Sequence, residues 1–429
     1  MTRRISRAAA GLGPAAPVRV VHLGLGSFHR SHQAWYTECD PEWGIAAHTF
    51  RNTALPRALT EQQGAYTLLL PGEEAKAEVV GSISRAHAGA EQERWLADLA
   101  SPDVAVVTTT VTEAGYAAPV PGQDSAMQRL VTGLRERYRA GGAPLTLVPC
   151  DNLPGNGGVL RDVLRTAARD EHRFAEWLDE HVTVVSTVVD RITPAPTSAD
   201  RATALAATGL RDEVPVVTEP FAEWVLAGEF PAGRPRWEQR GARFVDDVDV
   251  HQKRKLWFLN GAHTLLAHAG LARGRRTIRE AVDDDVLLAT VQQWWDVAAQ
   301  HIAIEPGELA EYRRRLLERF AAPGIEHRLA QIACDGSQKI PARLLPVLRA
   351  ERAAGRVPEP AVTVLAAWQS HLRHDDVRDP RAAELVELAR SRGPTRRLLL
   401  ALDQELGADD ELVAAVEDAL PTRPTGPSR

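Results

Sequence analysis

A lysine, an asparagine and a histidine fall within one short stretch, Lys255-Leu-Trp-Phe-Leu-Asn260-Gly-Ala-His263. Together these groups suit proton transfer at an oxygen: an amine to take or give the proton, an amide to donate a hydrogen bond, an imidazole to orient the reactant. Two of the three types are scarce. Only four of the 51 basic residues are lysines (Lys76, Lys253, Lys255, Lys339), and the asparagines are Asn52, Asn152, Asn156 and Asn260. A GC-rich coding bias would thin both types everywhere, which accounts for the scarcity but not for the clustering. Arginine serves wherever a fixed positive charge suffices, whereas a lysine can change its protonation state when its surroundings shift its pKa. On an α-helix, positions 256, 260 and 263 share a face, but 255 lies about 140° around the axis from 260. Joint action therefore requires a helix that starts near Lys255 or bends there.

Three other motifs carry chemistry-bearing residues. Gly24-Leu25-Gly26-Ser27-Phe28-His29 follows a short β-branched run and precedes a helical stretch. Small residues in a strand–turn–helix setting let a backbone approach the pyrophosphate of a dinucleotide. The third glycine of the usual fingerprint is replaced by His29, and a Gly-x-Gly is also an ordinary tight turn. Where an acid would hold the adenosine ribose of NAD, the chain reads Thr49-Phe50-Arg51-Asn52-Thr53. Arg51 suits the 2′-phosphate of NADP or simply solvent, so the expectation is NAD or NADP. Cys150-Asp151-Asn152-Leu153-Pro154-Gly155-Asn156-Gly157 ends another strand, where ligands collect in open α/β sheets. Its composition is equally that of a turn. Asp190-Arg191 closes the next strand, either as a charged pair facing the same cleft or as a structural ion pair. Cys334-Asp335-Gly336-Ser337-Gln338-Lys339 places another of the rare lysines in a loop before a helix.

These residues need a frame. Val18–Leu23, Ala46–Phe50, Val104–Val111, Leu145–Cys150 and Val182–Val189 read as strands, with helices between them. That alternation predicts a Rossmann-like, doubly wound parallel sheet over residues 18–247. From 248 to 420 the β-branched runs give way to amphipathic patterns, among them Leu256–Ala269, Asp284–His301 and Pro306–Phe320, so an all-α second domain is expected. Residues 1–17 and 421–429 read as loose tails.

Composition narrows the function. The net charge of −6, with 25% charged residues of both signs, argues against a nucleic-acid groove or a membrane surface as partner. The cysteines Cys39, Cys150 and Cys334 are far apart, as in a reduced, cytoplasmic protein. The basic N-terminus lacks the apolar core of a signal peptide. His29 and His32, or His263 and His268, without paired cysteines or a His-Glu-x-x-His element, are poor metal-ligand sets. No metal is expected; the sequence leaves the oligomeric state undetermined, and a monomer is compatible with it.

In combination, the segments His22–Gln33, Thr110–Tyr116, Cys150–Gly157, Val189–Pro194, Thr218–Phe221, Lys255–His263 and Asp335–Lys339 resemble the mannitol dehydrogenase family of long-chain polyol dehydrogenases and hexuronate reductases. The resemblance implies a metal-independent enzyme that uses NAD or NADP to interconvert a secondary alcohol and a ketone on a sugar alcohol or sugar acid. It implies Lys255 as general acid/base, Asn152 and Asn260 as donors to the reacting oxygen, and His263 as the group that orients the substrate. Asp190, Arg191 and Lys339 would contact the substrate, while Gly24, Gly26, Ser27, Phe28, Arg51, Thr110 and Glu113 would line the cofactor. Departures affect the substrate: Gln252 replaces an acid found three residues before the base in some relatives, and Gln331 replaces an arginine of some mannitol enzymes. The string 331–339 is similar to fructuronate reductases, and 259–264 to tagaturonate reductases. Two other readings remain: an enzyme of the mannitol-1-phosphate type acting on a phosphorylated polyol, and a nucleotide-sensing protein without turnover.

Overall fold

Six short runs of β-branched and aliphatic residues form one parallel sheet: β1 (Val18–Leu23), β2 (Gly44–His48), β5 (Ile83–His87), β6 (Val106–Thr109), β7 (Leu145–Pro149) and β8 (Val182–Val184). A computed structural model describes residues 3–71, 76–111, 113–116, 125–322, 327–373 and 377–420. Neighbouring strands are all parallel, in the order β5-β2-β1-β6-β7-β8. Successive residues face opposite cores: Val20, Ile45, Val106 and Val148 on one side, Val21, Ala46, Val107 and Leu147 on the other. Burial on both faces is why these strands read as continuous apolar runs. The direction of winding reverses between β1 and β6, and the crevice beyond their carboxyl ends is where such sheets bind ligands.

The run 182–189, expected as one strand, serves two sheets. Val182–Val184 ends the parallel sheet, and Val185 still donates to Leu147 O at 2.9 Å. From Ser186 the chain becomes β9 (Ser186–Asp190), antiparallel to β11 (Glu223–Ala227), which also pairs with β12 (Arg243–Phe244). A third sheet holds β3 (Tyr66–Leu70), β4 (Lys76–Val80) and β10 (Val216–Val217). A uniform β-branched run does not encode a change of partner.

The chain forms two compact units, Met1–His251 and Gln252–Arg429. The helices that matter below are α1 (Ser27–Ser31), α2 (Asn156–Ala168), α3 (Asp249–Arg254), α4 (Gly261–Ala272), α5 (Asp285–Ala299), α6 (Leu329–Ile332), α7 (Gly336–Arg343) and α8 (Glu359–His371). In the second unit, α4 is enclosed all round, every residue from Gly261 to Gly270 being buried, His263, Thr264 and His268 among them. Such a helix belongs at the centre of a core.

The expected loose N-terminal segment is corrected over residues 3–17. Ile5 is fully buried, and its N–H donates to Arg211 O at 3.0 Å while Arg211 N–H donates to Arg3 O at 2.9 Å. Arg7 reaches Gly81 O at 2.6 Å, and the Ser84 hydroxyl donates to Ala16 O at 2.7 Å. One large apolar side chain and a few backbone pairings dock the segment, which composition alone conceals. The other expected tail, 421–429, lies outside the described residues. Ile5→Ala is expected to lower unfolding stability by about 2–5 kcal/mol, read from the denaturant midpoint at unchanged slope; a loose tail would give no change.

Candidate active site

At the carboxyl end of β1 the two glycines do different things. Gly24 has φ +114°, and a Cβ there would lie 2.1 Å from the Thr110 carbonyl oxygen. The Gly24 and Leu25 N–H groups both donate to His48 O at 2.9 Å. The protein's own packing therefore demands glycine at 24. At 26 it does not: the backbone is extended (φ −148°), and a Cβ would meet only Gly24 O at 3.7 Å. Space is left above Gly26 where α1 begins, at the reversal point of the sheet. A group approaching from outside, such as a pyrophosphate, is what a side chain there would obstruct.

Around this loop the expected cofactor residues take distinct places. Ser27 and Phe28 open α1, with Phe28 stacked on His32 at 5.1 Å. The Thr110 hydroxyl donates to Gly24 O at 2.8 Å and lies 3.1 Å from His22 Nε2, so Thr110 braces the loop. Arg51 is exposed just beyond β2. The side chain of Glu113 lies outside the described residues. His29, in place of the third glycine, is fully buried and stacks on His22 at 3.4 Å.

The loop after β7 is a braced tip. Buried Asp151 accepts from the Thr109 hydroxyl at 2.9 Å, from Val111 N–H and from the Tyr116 hydroxyl. Asn156, at the start of α2, donates from Nδ2 to Pro149 O (3.2 Å), Asp151 O (3.3 Å) and Thr187 O (3.0 Å). Its Oδ1 accepts from Thr187 N–H at 3.0 Å. These two residues fasten the loop to β6 and β9 and leave Asn152 exposed at its tip. Neither brace was singled out from sequence, where Asp and Asn read as turn formers. Asp190 is buried at the end of β9. Arg191, expected among the substrate contacts, is tied into its own unit. Its buried guanidinium donates to Glu219 O and Ser31 O and lies 4.4 Å over the Trp35 ring, because its neighbours offer carbonyls and an aromatic face inside the unit.

The helix α3 runs into α4 through a turn of π-helix, Lys255–Asn260. In the α-helical spacing, 255 and 260 would diverge by about 140°. The i→i+5 pattern of a π-turn instead returns the chain to the same face after five residues, and such turns recur at functional sites. This supplies the bend that the sequence called for. Lys255, Asn260 and His263 are all buried, and among the described residues Asn260 Oδ1 and His263 Nε2 have no hydrogen-bond partner. Unpaired polar atoms in a buried cluster are costly unless a ligand satisfies them. The Thr264 hydroxyl donates to Asn260 O at 3.0 Å and accepts from Arg343 Nη1 at 3.0 Å.

His263 lies 4.9 Å from the Phe320 ring and 5.1 Å from that of His327. Burial, then the neighbouring His327 and Arg343, hold its pKa well below the ordinary imidazole value. It is therefore a neutral hydrogen-bonding group. Lys339 caps α6: its ammonium donates to Cys334 O at 2.7 Å and Ile332 O at 3.2 Å, with Asp335 at 3.8 Å. A cavity of about 700 Å³ in the second unit has a wall that includes His268, Arg328, Gln331, Ser370, His371 and Arg378, but none of the trio. His268 is five residues along the same helix from His263, a rise of about 7.5 Å and about 140° around its axis. Among the described residues there is no group of three or more His, Cys, Asp or Glu able to hold a metal ion, and no helix long and apolar enough to cross a membrane.

Comparison with known proteins matches residues 18–239 to the mannitol dehydrogenase Rossmann domain and residues 247–422 to the mannitol dehydrogenase C-terminal domain. Similar curated proteins include the D-mannonate oxidoreductase of Escherichia coli (strain K12), 34% identical over 94% of this chain and 92% of that one. Another is the D-arabinitol 4-dehydrogenase of Ralstonia nicotianae, 36% identical over 82% of each. Among solved structures, the Pseudomonas fluorescens mannitol 2-dehydrogenase ternary complex with NAD and D-mannitol superposes with a TM-score of 0.85. It is 30% identical and covers 97% of this chain and 96% of its own.

The buried imidazoles give a pH prediction. His22 and His268 are held at about 3 and His327 at about 4, in each case chiefly by desolvation. His29, His48 and His263 are also lowered. The unfolded chain takes up protons near pH 6.5, while the folded one resists them. Stability is thus full above about 6.5 and falls as the pH drops toward the folded values. Glu38, whose carboxyl is raised by burial, opposes this as a single group. Unfolding free energy is expected to decline from pH 7.5 to 5, with uptake of more than one proton; a flat profile would mean that the imidazoles titrate in the native state as they do in the unfolded chain.

Proposed function

The chain belongs to the mannitol dehydrogenase family, and from that premise we propose that it interconverts a secondary alcohol and a ketone on a sugar alcohol or sugar acid, using NAD or NADP and no metal. The observation that carries this reading is the buried trio on the π-turn and α4: a lysine, an asparagine and a neutral histidine, with two polar atoms that nothing in the described protein satisfies. The open space above Gly26, at the reversal point of the sheet, supports a dinucleotide. When bound, the nicotinamide supplies the hydride acceptor or donor.

In this reading Lys255 takes the proton from the substrate hydroxyl in oxidation and returns one to the carbonyl oxygen in reduction. Asn260 and Asn152 donate hydrogen bonds to that oxygen, stabilising the negative charge it develops. His263, neutral, fixes the adjacent hydroxyl through its unpaired Nε2 without competing for the reaction's proton. Asp190 and Lys339 would contact hydroxyls farther along the chain. Arg328 and Arg378 border a cavity in the second unit; a substrate that extended into it would suit guanidinium groups with an acidic far end, carboxylate or phosphate alike.

Nicotinamide absorbance with NADH and NADPH, against fructose, fructuronate, tagaturonate and fructose 6-phosphate, tests the substrate. The expected result is a keto-uronate preferred over fructose by about tenfold or more in kcat/KM, the scale of one charge-assisted hydrogen bond. Preference for fructose would select the polyol reading, and preference for fructose 6-phosphate the phosphorylated one. No turnover with intact dinucleotide binding would select the sensing protein. Lys255→Ala is expected to abolish turnover and leave dinucleotide affinity nearly unchanged; equal loss of both would make the lysine structural. Chelators are expected to leave activity unchanged, and inhibition reversed by zinc would overturn the metal-free mechanism.

A further inference from the structure

A π-turn inside a helix needs outside support, because i→i+5 bonding is rare and short-lived as a pattern. Here the Gly261 N–H reaches Leu256 O and Phe258 O. It does not reach Trp257 O, the acceptor that the i→i−4 pattern would assign it. The Trp257 carbonyl instead accepts the indole N–H of Trp294 at 2.7 Å. The next carbonyl, Phe258 O, accepts the indole N–H of Trp295 at 2.9 Å. Both tryptophans are buried, side by side in sequence on α5. An indole has one donor, and each is committed to this turn.

Gly261 completes the arrangement. A Cβ at 261 would lie 2.7 Å from Trp294 Nε1 and 3.3 Å from its Cε2. Only glycine lets the indole approach close enough to bond the carbonyl four residues earlier in the chain.

We infer that Trp294 and Trp295 are positioning residues that hold the π-turn and thereby keep Lys255 and Asn260 on one face. This rests on the reading of Lys255 as the proton-transfer group. Without the indoles, the Trp257 carbonyl is free to take the Gly261 N–H, and the turn relaxes toward α-helix. Lys255 and Asn260 then diverge by about 140° and no longer address one oxygen. The indoles also act against that alternative, since rewinding the turn would move the Trp257 and Phe258 carbonyls away from two buried N–H donors. They work through the backbone of the turn.

The test uses the full-length protein with Trp294→Phe and Trp295→Phe, which keep an aromatic ring in the core but remove the donor. Gly261→Ala displaces the same indole from the opposite side. The expected result is a fall in kcat of about tenfold to hundredfold, the scale seen when a catalytic group is misplaced from a distance. The pH at which the oxidation rate rises should shift, while dinucleotide affinity stays within about twofold of the parent. Trp294→Phe and Gly261→Ala should be strongly non-additive, because both break one contact. A folded variant with an unaltered pH profile and kcat overturns the inference. So does a lowered Tm with no change in pH profile, which marks the indoles as packing only, or strict additivity of the pair. If Trp294→Phe does not fold, Trp295→Phe and Gly261→Ala decide. Lys255→Ala separates the layers: should it retain turnover, the proton-transfer reading fails first. Should it be inactive while the tryptophan and glycine variants behave like the parent, this inference alone fails.

Discussion

The second unit is built around a helix that cannot turn. From Gly261 to Gly270 every residue of α4 is buried, with α8 packed along it and the apolar side chains of α5 nearby. A helix enclosed on all sides has no polar face from which to present a lysine, and rotating it to make one would drive apolar side chains out of close packing. The lysine therefore enters at the amino end, where α3 gives way to α4. There the change in helical pitch, rather than rotation, brings it onto the face that already carries Asn260. A register defect of a single turn is a smaller disturbance than a polar stripe through the core, and it places its effect at one position.

Burial also sets the charge state of the groups beside it. Imidazoles enclosed at the end of β1 and along α4 are neutral because desolvation penalises their protonated form. At β1, stacked His22 and His29 fill space beneath the Gly24–Gly26 loop without adding a positive charge there. On α4, neutral His263 leaves Lys255 as the group of the trio that can carry the proton. The same residue type thus serves as packing in one unit and as an uncharged hydrogen-bonding group in the other.

The sequence conveys the architecture through periodicity, and periodicity is what two layers of helix on a parallel sheet, followed by a helical core, must impose. It conveys less where a local choice depends on a distant partner. The run 182–189 is β-branched throughout, so nothing in it marks Val185 as the residue at which the chain leaves one sheet for another. Arg191 looks like a ligand-facing charge until Trp35, Ser31 and Glu219 are seen around it. Asp151 and Asn156 look like turn residues, yet they brace the loop that leaves Asn152 exposed. Ile5 sits among Arg3, Arg4, Ser6 and Arg7, ahead of a stretch of Ala, Gly and Pro, and only its pairing with residue 211 shows that it is docked. Lys255 was legible as an exception to helical spacing. The device that resolves the exception was not, because two adjacent tryptophans thirty-odd residues later read only as the apolar side of an amphipathic helix.

The neighbour of Lys255 shows why its chemical type matters more than its charge. Arg254 is buried, with its guanidinium 4.3 Å over the Tyr312 ring and 3.3 Å from Glu308. A chain that uses arginine almost everywhere has arginine here too, as a fixed cation held by an aromatic face and a carboxylate. One residue later it has lysine. A guanidinium at 255 would keep its proton throughout any physiological reaction, so it could hold an oxyanion but could neither accept a proton from an alcohol nor deliver one to a ketone. If position 255 required only positive charge or bulk, the bias that has made nearly every other basic residue arginine would be expected to act there as well. Its exclusion at a buried position, on the face shared with Asn260, is what a group that must change protonation state would produce.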